Sequence, residues 1–295
     1  MKVGLNLSFA VKRWLEPEQL AFMVRNDFKT KYVQFTWDLL NPWWPSGQRD
    51  KMARNWSKAF AREEIILDGT FGGLASYTYP QLMARTTEER KISLEFFKRA
   101  IDMTVALGAK SIGTPLGGMT HNDAYNKTRR QEIYQIVLGH IRELAIYAKQ
   151  SGLEKIIIEP TPLYTEFPSD PESTLKLMQD LEGTTDIPVR VLVDWGHALF
   201  KPLLKNKADM DLWLKTCQNY IECFHLQQTD GQLDRHWDFT KQGIISLELI
   251  KEITEKNKVS DLIQYLEVIY AFEETDEDVY QNLKKTMDLL HGSLE

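Results

Sequence analysis

The stretch Lys155-Ile-Ile-Ile-Glu159 places a carboxylate directly after three isoleucines. Three later apolar runs carry an ionisable residue in the same way: Asp194 after Val191-Leu-Val, His225 after Cys223-Phe, and Glu267 within Leu262-Ile-Gln-Tyr-Leu-Glu-Val-Ile. Buried strands seldom carry such residues unless these are paired or bound to a metal. We therefore expect the four residues to converge where their strands end, as a set that suits a single divalent cation.

Strand-like runs alternate with helical patterns along the whole chain. The predicted strands are Val3–Leu7, Tyr32–Thr36, Ile65–Asp68, Ser111–Thr114, Lys155–Glu159, Val189–Asp194, Cys223–Leu226 and Ile263–Val268. The predicted helices are Pro17–Arg25, Gln48–Arg62, Thr87–Leu107, Arg130–Lys149, Pro171–Leu181, Asp209–Tyr220, Ser246–Glu255 and Asp276–Leu290. Such alternation is typical of βαβ units with a parallel sheet. No glycine-rich phosphate fingerprint follows the first strand, so a closed barrel is favoured over an open doubly wound sheet.

Eight strands and eight helices predict a single (β/α)8 barrel domain over residues 1–295. In such a barrel the active site lies at the C-terminal ends of the strands. The candidate ligands Glu159, Asp194, His225 and Glu267 stand at or near those ends. The predicted fold and the predicted site therefore support each other.

Composition narrows the class of protein. The chain has 295 residues and a formal charge of −6, with acids and bases interspersed, which argues against a nucleic-acid partner. No apolar run reaches the roughly 20 residues of a membrane span, and the N-terminus resembles a strand rather than a signal peptide. Cys217 and Cys223 are expected to be reduced, buried thiols. We expect a cytoplasmic protein that binds neither nucleic acid nor membrane; the oligomeric state is left open, with a homo-oligomer as one option.

Further candidates lie in the loops that follow the strands. Asp194-Trp-Gly-His197 puts His197 at the rim of the same site, unless it is a structural histidine. Asp234-Arg-His236 follows the seventh strand, and for loop residues a functional role is the better expectation. Trp14 and Trp37 follow the first two strands and are expected to wall the pocket, although part of the aromatic set will be core. Arg235, His236 and Lys12 are thus predicted substrate contacts together with His197, Trp14 and Trp37.

The ligand order, Glu159, Asp194-x-x-His197, His225 and Glu267, resembles that of the xylose-isomerase-like TIM barrel superfamily, and within it the sugar-phosphate isomerases and ketose 3-epimerases. The resemblance implies one divalent metal ion (manganese, magnesium, cobalt or zinc) held by those four residues. It also implies that Glu159 and Glu267 act as the acid–base pair and that His197 binds substrate. One glutamate would remove the C3 proton of a ketose, and the other would return a proton to the opposite face.

The segment Glu159-Pro-Thr-Pro-Leu-Tyr-Thr-Glu166 departs from the free-ketose enzymes, which carry a sugar-binding arginine there. It is more similar to the tetrulose-phosphate epimerases of erythritol breakdown. A small ketose phosphate is therefore the expected substrate, with a tetrulose phosphate favoured. The candidate phosphate contacts are Lys12, Arg13, His121 and Arg235.

Four other functions are compatible with parts of this pattern. A hydro-lyase of the inosose dehydratase type would use the same metal shell, and a 1,2-isomerase would need only one base. An abasic-site DNA endonuclease with three zinc ions would need histidines after the third and fourth strands, where Leu67-Asp-Gly69 and Gly113-Thr-Pro115 stand instead. A non-catalytic sugar-binding barrel would leave the paired carboxylates without a purpose.

Overall fold

The chain folds into a closed barrel of eight parallel strands in sequential order, as a computed structural model of residues 1–79 and 81–294 describes. The strands are β1 Lys2–Asn6, β2 Tyr32–Thr36, β3 Ile66–Phe71, β4 Ser111–Thr114, β5 Lys155–Ile158, β6 Val189–Asp194, β7 Ile221–Leu226 and β8 Ile263–Leu266. β8 pairs with β1 and so closes the sheet. The predicted (β/α)8 barrel is confirmed.

Helices connect the strands and cover the outside of the barrel. They are α1 Pro17–Phe22, α2 Ser46–Arg62, α3 Leu74–Tyr77, α4 Thr87–Leu107, α5 His121–Tyr125, α6 Lys127–Ser151, α7 Pro171–Leu181, α8 Trp195–Ala198, α9 Lys201–Leu204, α10 Met210–Cys217, α11 Leu247–Lys256 and α12 Asp276–Leu294. The short helices α3, α5, α8 and α9 were not predicted, because four or five residues are too few to show an amphipathic period. No helix in the described ranges has the length and apolar character needed to span a membrane.

Helices α2 and α4 end where the sequence predicts, whereas α6 and α12 extend past their predicted ends to Ser151 and Leu294. Thr86 and Glu89 form a capping box at the start of α4. Gly108 and Gly152 follow α4 and α6 in the left-handed conformation, with φ of 82° and 99°. Glycine adopts this conformation without steric cost, so each helix ends there and the chain turns back into the next strand.

The predicted end of the third strand at Asp68 is wrong, since β3 continues to Phe71. Val33 of β2 faces Leu67, whereas the next residue of β2 faces Gly69, so Asp68 is the extra residue of a β-bulge. A charged residue at a bulge looks like a strand end in the sequence. Because of the longer strand, Phe71 lies inside the barrel rather than in a loop.

A small apolar cluster fills the barrel interior. It consists of Phe71, Ile157, Leu192, Cys223 and Tyr265. Gly4 makes room for it, because a Cβ atom at this position would lie 2.7 Å from the Tyr265 ring. The Phe71 ring also contacts the His225 ring edge to face, with 4.6 Å between centroids. Cys217 and Cys223 are both buried and free, as predicted.

Candidate active site

Glu159, Asp194, His225 and Glu267 meet at the C-terminal ends of β5 to β8. Each offers one ligand atom, and these atoms all lie within 4.8 Å of one another. Glu159 and Glu267 directly follow β5 and β8, Asp194 ends β6, and His225 lies near the end of β7. All four side chains are buried. The structure therefore brings together the four residues that the sequence singled out.

His225 is oriented by a hydrogen bond on its far side. Its Nδ1 atom lies 3.0 Å from Glu159 Oε1 and 2.8 Å from Glu267 Oε2. Its Nε2 atom lies 2.6 Å from Gln34 Oε1, which also accepts a hydrogen bond from the Asn6 side chain. Because an amide oxygen only accepts, Nε2 carries a proton and Nδ1 points at the carboxylates. This is the arrangement of a metal-binding histidine with its supporting hydrogen bond.

The two glutamates have pKa values shifted in opposite directions. Burial raises the pKa of Glu159, and the neighbouring His225 and His197 offset this only in part. Burial acts in the same way on Glu267, but the attraction of His225 and of His236 outweighs it and lowers the pKa. Burial opposes the charged form of His225, yet the two glutamates raise its pKa to about 10. The buried carboxylates are thus compensated by positive charge.

Asp194 provides the test of whether a metal fits. Its Oδ1 atom accepts hydrogen bonds from the backbone N–H of His197 at 2.8 Å and from Gln227 Nε2 at 3.0 Å. Its Oδ2 atom is buried and has no hydrogen-bond partner among the residues that the structure describes. A buried carboxylate oxygen without a partner is unfavourable, and a cation would satisfy it. Three carboxylates and one imidazole are donors that suit a hard or borderline divalent ion, so the residues fit such a metal.

His197, Asp234 and His236 form a second group of side chains beside the first. Both imidazole Nε2 atoms lie 3.1 Å from Asp234 Oδ2, while Gln227 Nε2 donates to Asp234 Oδ1 at 3.0 Å. His197 Nδ1 faces the carbonyl oxygen of Pro160 at 3.1 Å. Both ring nitrogens of His197 therefore face acceptors, so this side chain carries two protons. The group could also hold a metal, although its carboxylate is 42% exposed and already accepts hydrogen bonds.

A cavity of about 300 Å³ opens above both groups. Its walls are Ser8, Phe71, Gly72, Gly73, Leu74, Tyr77, Pro115, Glu159, Thr161, His197, Asp234, Arg235, His236, Glu267 and Ile269. This volume is at the lower end of small-molecule sites. Both candidate catalytic glutamates and the predicted contacts His197, Arg235 and His236 thus border one small cavity.

The predicted aromatic walls Trp14 and Trp37 do not border this cavity among the described residues. Trp14 is buried against Phe9, with 5.9 Å between ring centroids. Trp37 is also buried, and its Nε1 atom donates to Thr70 Oγ1 at 3.0 Å. Trp37 instead borders a separate cavity of about 310 Å³ that holds neither group of metal-binding candidates. The hydrophobic effect has placed both rings in packing roles, which corrects their assignment as substrate contacts.

Three of the predicted cationic contacts also lie elsewhere. The Lys12 ammonium stands 4.5 Å from the centre of the Phe272 ring. Arg13 is engaged by Asp276 and by the backbone carbonyls that precede α12. His121 stacks on Tyr125 at 4.6 Å. These side chains have partners of their own outside the cavity, which leaves Arg235 as the predicted phosphate contact that borders it.

Several site residues were not predicted. Gln34 supports His225 from the middle of the apolar strand β2, and Gln227 links the two groups directly after β7. The buried Glu166 accepts hydrogen bonds from Thr161 and, at 3.0 Å, from Tyr77, two residues that border the cavity. A polar residue within or just after an apolar strand was a usable signal for Gln34 and Gln227. The contact between Tyr77 and Glu166 joins the end of α3 to the loop after β5 and leaves no local pattern.

Comparison with known proteins agrees with the fold and with the resemblance drawn from the four candidate ligands. Residues 27–288 match a family described as the xylose isomerase-like TIM barrel. The chain is 25% identical over 273 residues to a D-erythrulose 1-phosphate 3-epimerase of Brucella abortus strain 2308, across 89% of this chain and 86% of that protein.

Solved structures extend the comparison. A protein of Rhodospirillum rubrum ATCC 11170, provisionally named a xylose isomerase, is 48% identical and superposes with a TM-score of 0.98 over 99% of both chains. The D-psicose 3-epimerase of Clostridium cellulolyticum H10, solved with D-tagatose, is 13% identical and superposes with a TM-score of 0.74 over both entire chains. At this low identity the second likeness shows a shared fold only.

Proposed function

The chain belongs to the xylose isomerase-like TIM barrel family, and from that membership we propose that it is a metal-dependent epimerase that inverts C3 of a small ketose phosphate. A tetrulose phosphate is the favoured substrate. The observation that carries the proposal is the contact of two buried glutamates, from β5 and β8, with the same nitrogen of His225 at the floor of a small cavity. The similarity to a D-erythrulose 1-phosphate 3-epimerase supports this reaction and this size of substrate.

The two glutamates supply the proton transfers. Inversion at a carbon beside a carbonyl needs proton removal from one face and proton delivery to the other. One of Glu159 and Glu267 takes the C3 proton, and the electron pair of the broken C–H bond moves onto the C2 oxygen as an enediolate forms. The other glutamate then gives a proton to the opposite face of C3. Both side chains border the cavity, so each can reach a ketose bound there.

The remaining residues orient the substrate and exclude water. The His197 ring, held between the Pro160 carbonyl and Asp234, borders the cavity and places its positive charge beside a substrate oxygen that becomes negative. Phe71, Leu74 and Ile269 give the cavity apolar walls that keep water from the reacting carbon. A divalent ion held by Glu159, Asp194, His225 and Glu267 would supply Lewis-acid polarisation of the substrate oxygens.

Reaction in deuterated water tests the proposed reaction. We expect solvent deuterium at C3 of the ketose phosphate during epimerisation by the manganese-loaded protein, with free and phosphorylated ketoses compared in one panel. Deuterium at C1 with aldose formation would indicate a 1,2-isomerase, and loss of water would indicate the hydro-lyase. Absence of all three changes across the panel would contradict a catalytic role on ketoses.

Metal content gives a second prediction. We expect about one divalent ion per chain after reconstitution, because the four buried donors around Asp194 Oδ2 form one compact group. Elemental analysis after gel filtration measures the ratio, with manganese, magnesium, cobalt and zinc supplied in parallel. Two equivalents would show that His197, Asp234 and His236 hold an ion as well. Three tightly bound zinc ions would favour the endonuclease alternative.

Gln34→Leu is expected to weaken metal binding by about 10–100-fold, the usual effect of losing a residue that orients a metal-binding histidine. The variant removes the acceptor for His225 Nε2 and leaves the four ligands in place. Gln264→Leu is the matched control, because Gln264 is a buried glutamine of β8 that contacts Trp195 instead. Titration of the metal-free proteins with manganese measures both affinities. Equal affinities for the two variants would contradict the role given to Gln34.

A further inference from the structure

The loop from Gln228 to Trp237, here called the 228–237 loop, is closed and internally bonded. The backbone N–H of Gln228 donates to the Trp237 carbonyl at 2.8 Å, and that of Trp237 donates back at 3.2 Å. Within the loop, Asp230 Oδ1 accepts two backbone N–H groups, and Thr229 Oγ1 accepts one from Gly231. Such a loop keeps its shape without a ligand, as compact Ω-loops do.

The last part of the loop turns three consecutive side chains toward one cavity. Asp234, Arg235 and His236 all border the proposed active site, whereas successive residues of an extended chain point to opposite sides. His236 breaks the alternation with a φ of 46°, in the left-handed region that side chains rarely adopt. Its backbone N–H donates to Gln227 Oε1 at 2.5 Å, and its carbonyl accepts from Ile269 at 3.0 Å. These bonds hold a strained residue in place, as is common at binding sites.

Arg235 is fixed on two sides. Its Nε and Nη2 atoms donate to Asp230 Oδ2 at 3.0 and 2.7 Å, and its guanidinium lies 4.8 Å from the centre of the Trp237 ring. The bond from Arg235 lowers the pKa of Asp230 to about 2, so the carboxylate is ionised at any working pH. Nη1 makes neither of these hydrogen bonds, so its N–H groups remain available as donors. Among the described residues that border the cavity, Arg235 is the only arginine or lysine.

We propose that the 228–237 loop is the subsite for the phosphate end of the substrate, with Arg235 contacting the phosphate and Asp230 as the positioning residue that fixes Arg235. This subsite deepens the proposed function, and it rests on that function only for the premise that a phosphorylated compound enters the cavity. Guanidinium groups match phosphate oxygens in geometry and charge. Because Asp230 and Trp237 already restrict the Arg235 side chain, less conformational entropy is lost when the phosphate binds.

Kinetics of the metal-loaded enzyme with a tetrulose phosphate and the free tetrulose test the assignment. Arg235→Ala is expected to raise the KM for the tetrulose phosphate by about 10–100-fold, which is the effect of losing a charge-assisted hydrogen bond. The KM for the free tetrulose is expected to rise far less. Asp230→Ala is expected to raise the KM for the phosphate by up to about 30-fold with a small change in kcat. Asp230→Glu should restore part of the loss. Asp276→Ala removes an exposed carboxylate paired with Arg13 and is the matched control.

Inhibition by inorganic phosphate separates this inference from the proposed function. We expect phosphate to compete with substrate in the wild type and to do so much more weakly in Arg235→Ala. For a protein without ketose turnover, isothermal titration with phosphate replaces the inhibition assay. Binding of phosphate that depends on Arg235 would support the subsite even if no ketose were epimerised. Epimerisation of ketoses with equal KM shifts for free and phosphorylated sugars would overturn the subsite and leave the epimerase intact.

Discussion

His225→Ala is expected to abolish both stoichiometric metal binding and turnover. His225 is fully buried, and its Nδ1 atom is the shared contact of Glu159 and Glu267. Its removal takes away one of the four proposed ligands and leaves two buried carboxylates without their positive neighbour, which disfavours the charged state that a metal requires. Elemental analysis and the initial rate with a ketose phosphate measure the two effects.

Two controls accompany this variant. His140→Ala removes a partly buried histidine of α6 that belongs to neither group of metal-binding candidates, and it is expected to keep the metal and the rate. His225→Gln keeps most of the side-chain volume and separates loss of a ligand from loss of packing against Phe71. Thermal unfolding shows whether each variant is folded. A folded His225→Ala or His225→Gln protein with a full equivalent of metal would refute the proposed centre.

The barrel could be predicted because its evidence is local. Each strand carries an apolar run, each long helix has an amphipathic period, and glycines such as Gly108 mark where helices end. The wrong end predicted for the third strand also follows from the use of local evidence. A bulge at Asp68 depends on pairing with β2, and one strand by itself carries no sign of its partner.

The metal-binding candidates were predictable for a related reason. A charge at the end of a buried strand stands out in the sequence, and the topology of a closed barrel gathers such ends at one face. The positions of Trp14, Trp37 and Lys12 were not predictable. A loop side chain takes whichever partner the tertiary fold brings near, such as Thr70 for Trp37 or Phe272 for Lys12. Residue type alone therefore indicated a pocket wall where the structure has packing.

Glu159→Gln and Glu267→Gln are each expected to reduce kcat by at least about 10²-fold, the lower range for loss of a positioned acid or base. Both glutamates are also candidate ligands, so metal content is measured with the rate. Glu222→Gln is the matched control, since Glu222 is a partly buried carboxylate near the start of β7, paired with Lys155 at 2.5 Å and outside the active site. It is expected to keep the wild-type rate. Near-normal turnover in either active-site variant at full metal occupancy would refute the two-base mechanism.

Isotope exchange sharpens the same test. An amide cannot deliver a proton, so each variant keeps a base on only one face of the substrate. The remaining glutamate can still remove the C3 proton of one epimer and return deuterium from solvent to the same face, without inversion. We therefore expect Glu159→Gln and Glu267→Gln to exchange the C3 proton of opposite epimers, as followed by proton NMR of each epimer in deuterated water. Exchange of the same epimer by both variants would mean that neither glutamate is the base for that epimer. Exchange of both epimers by one variant and of neither by the other would indicate a one-base mechanism.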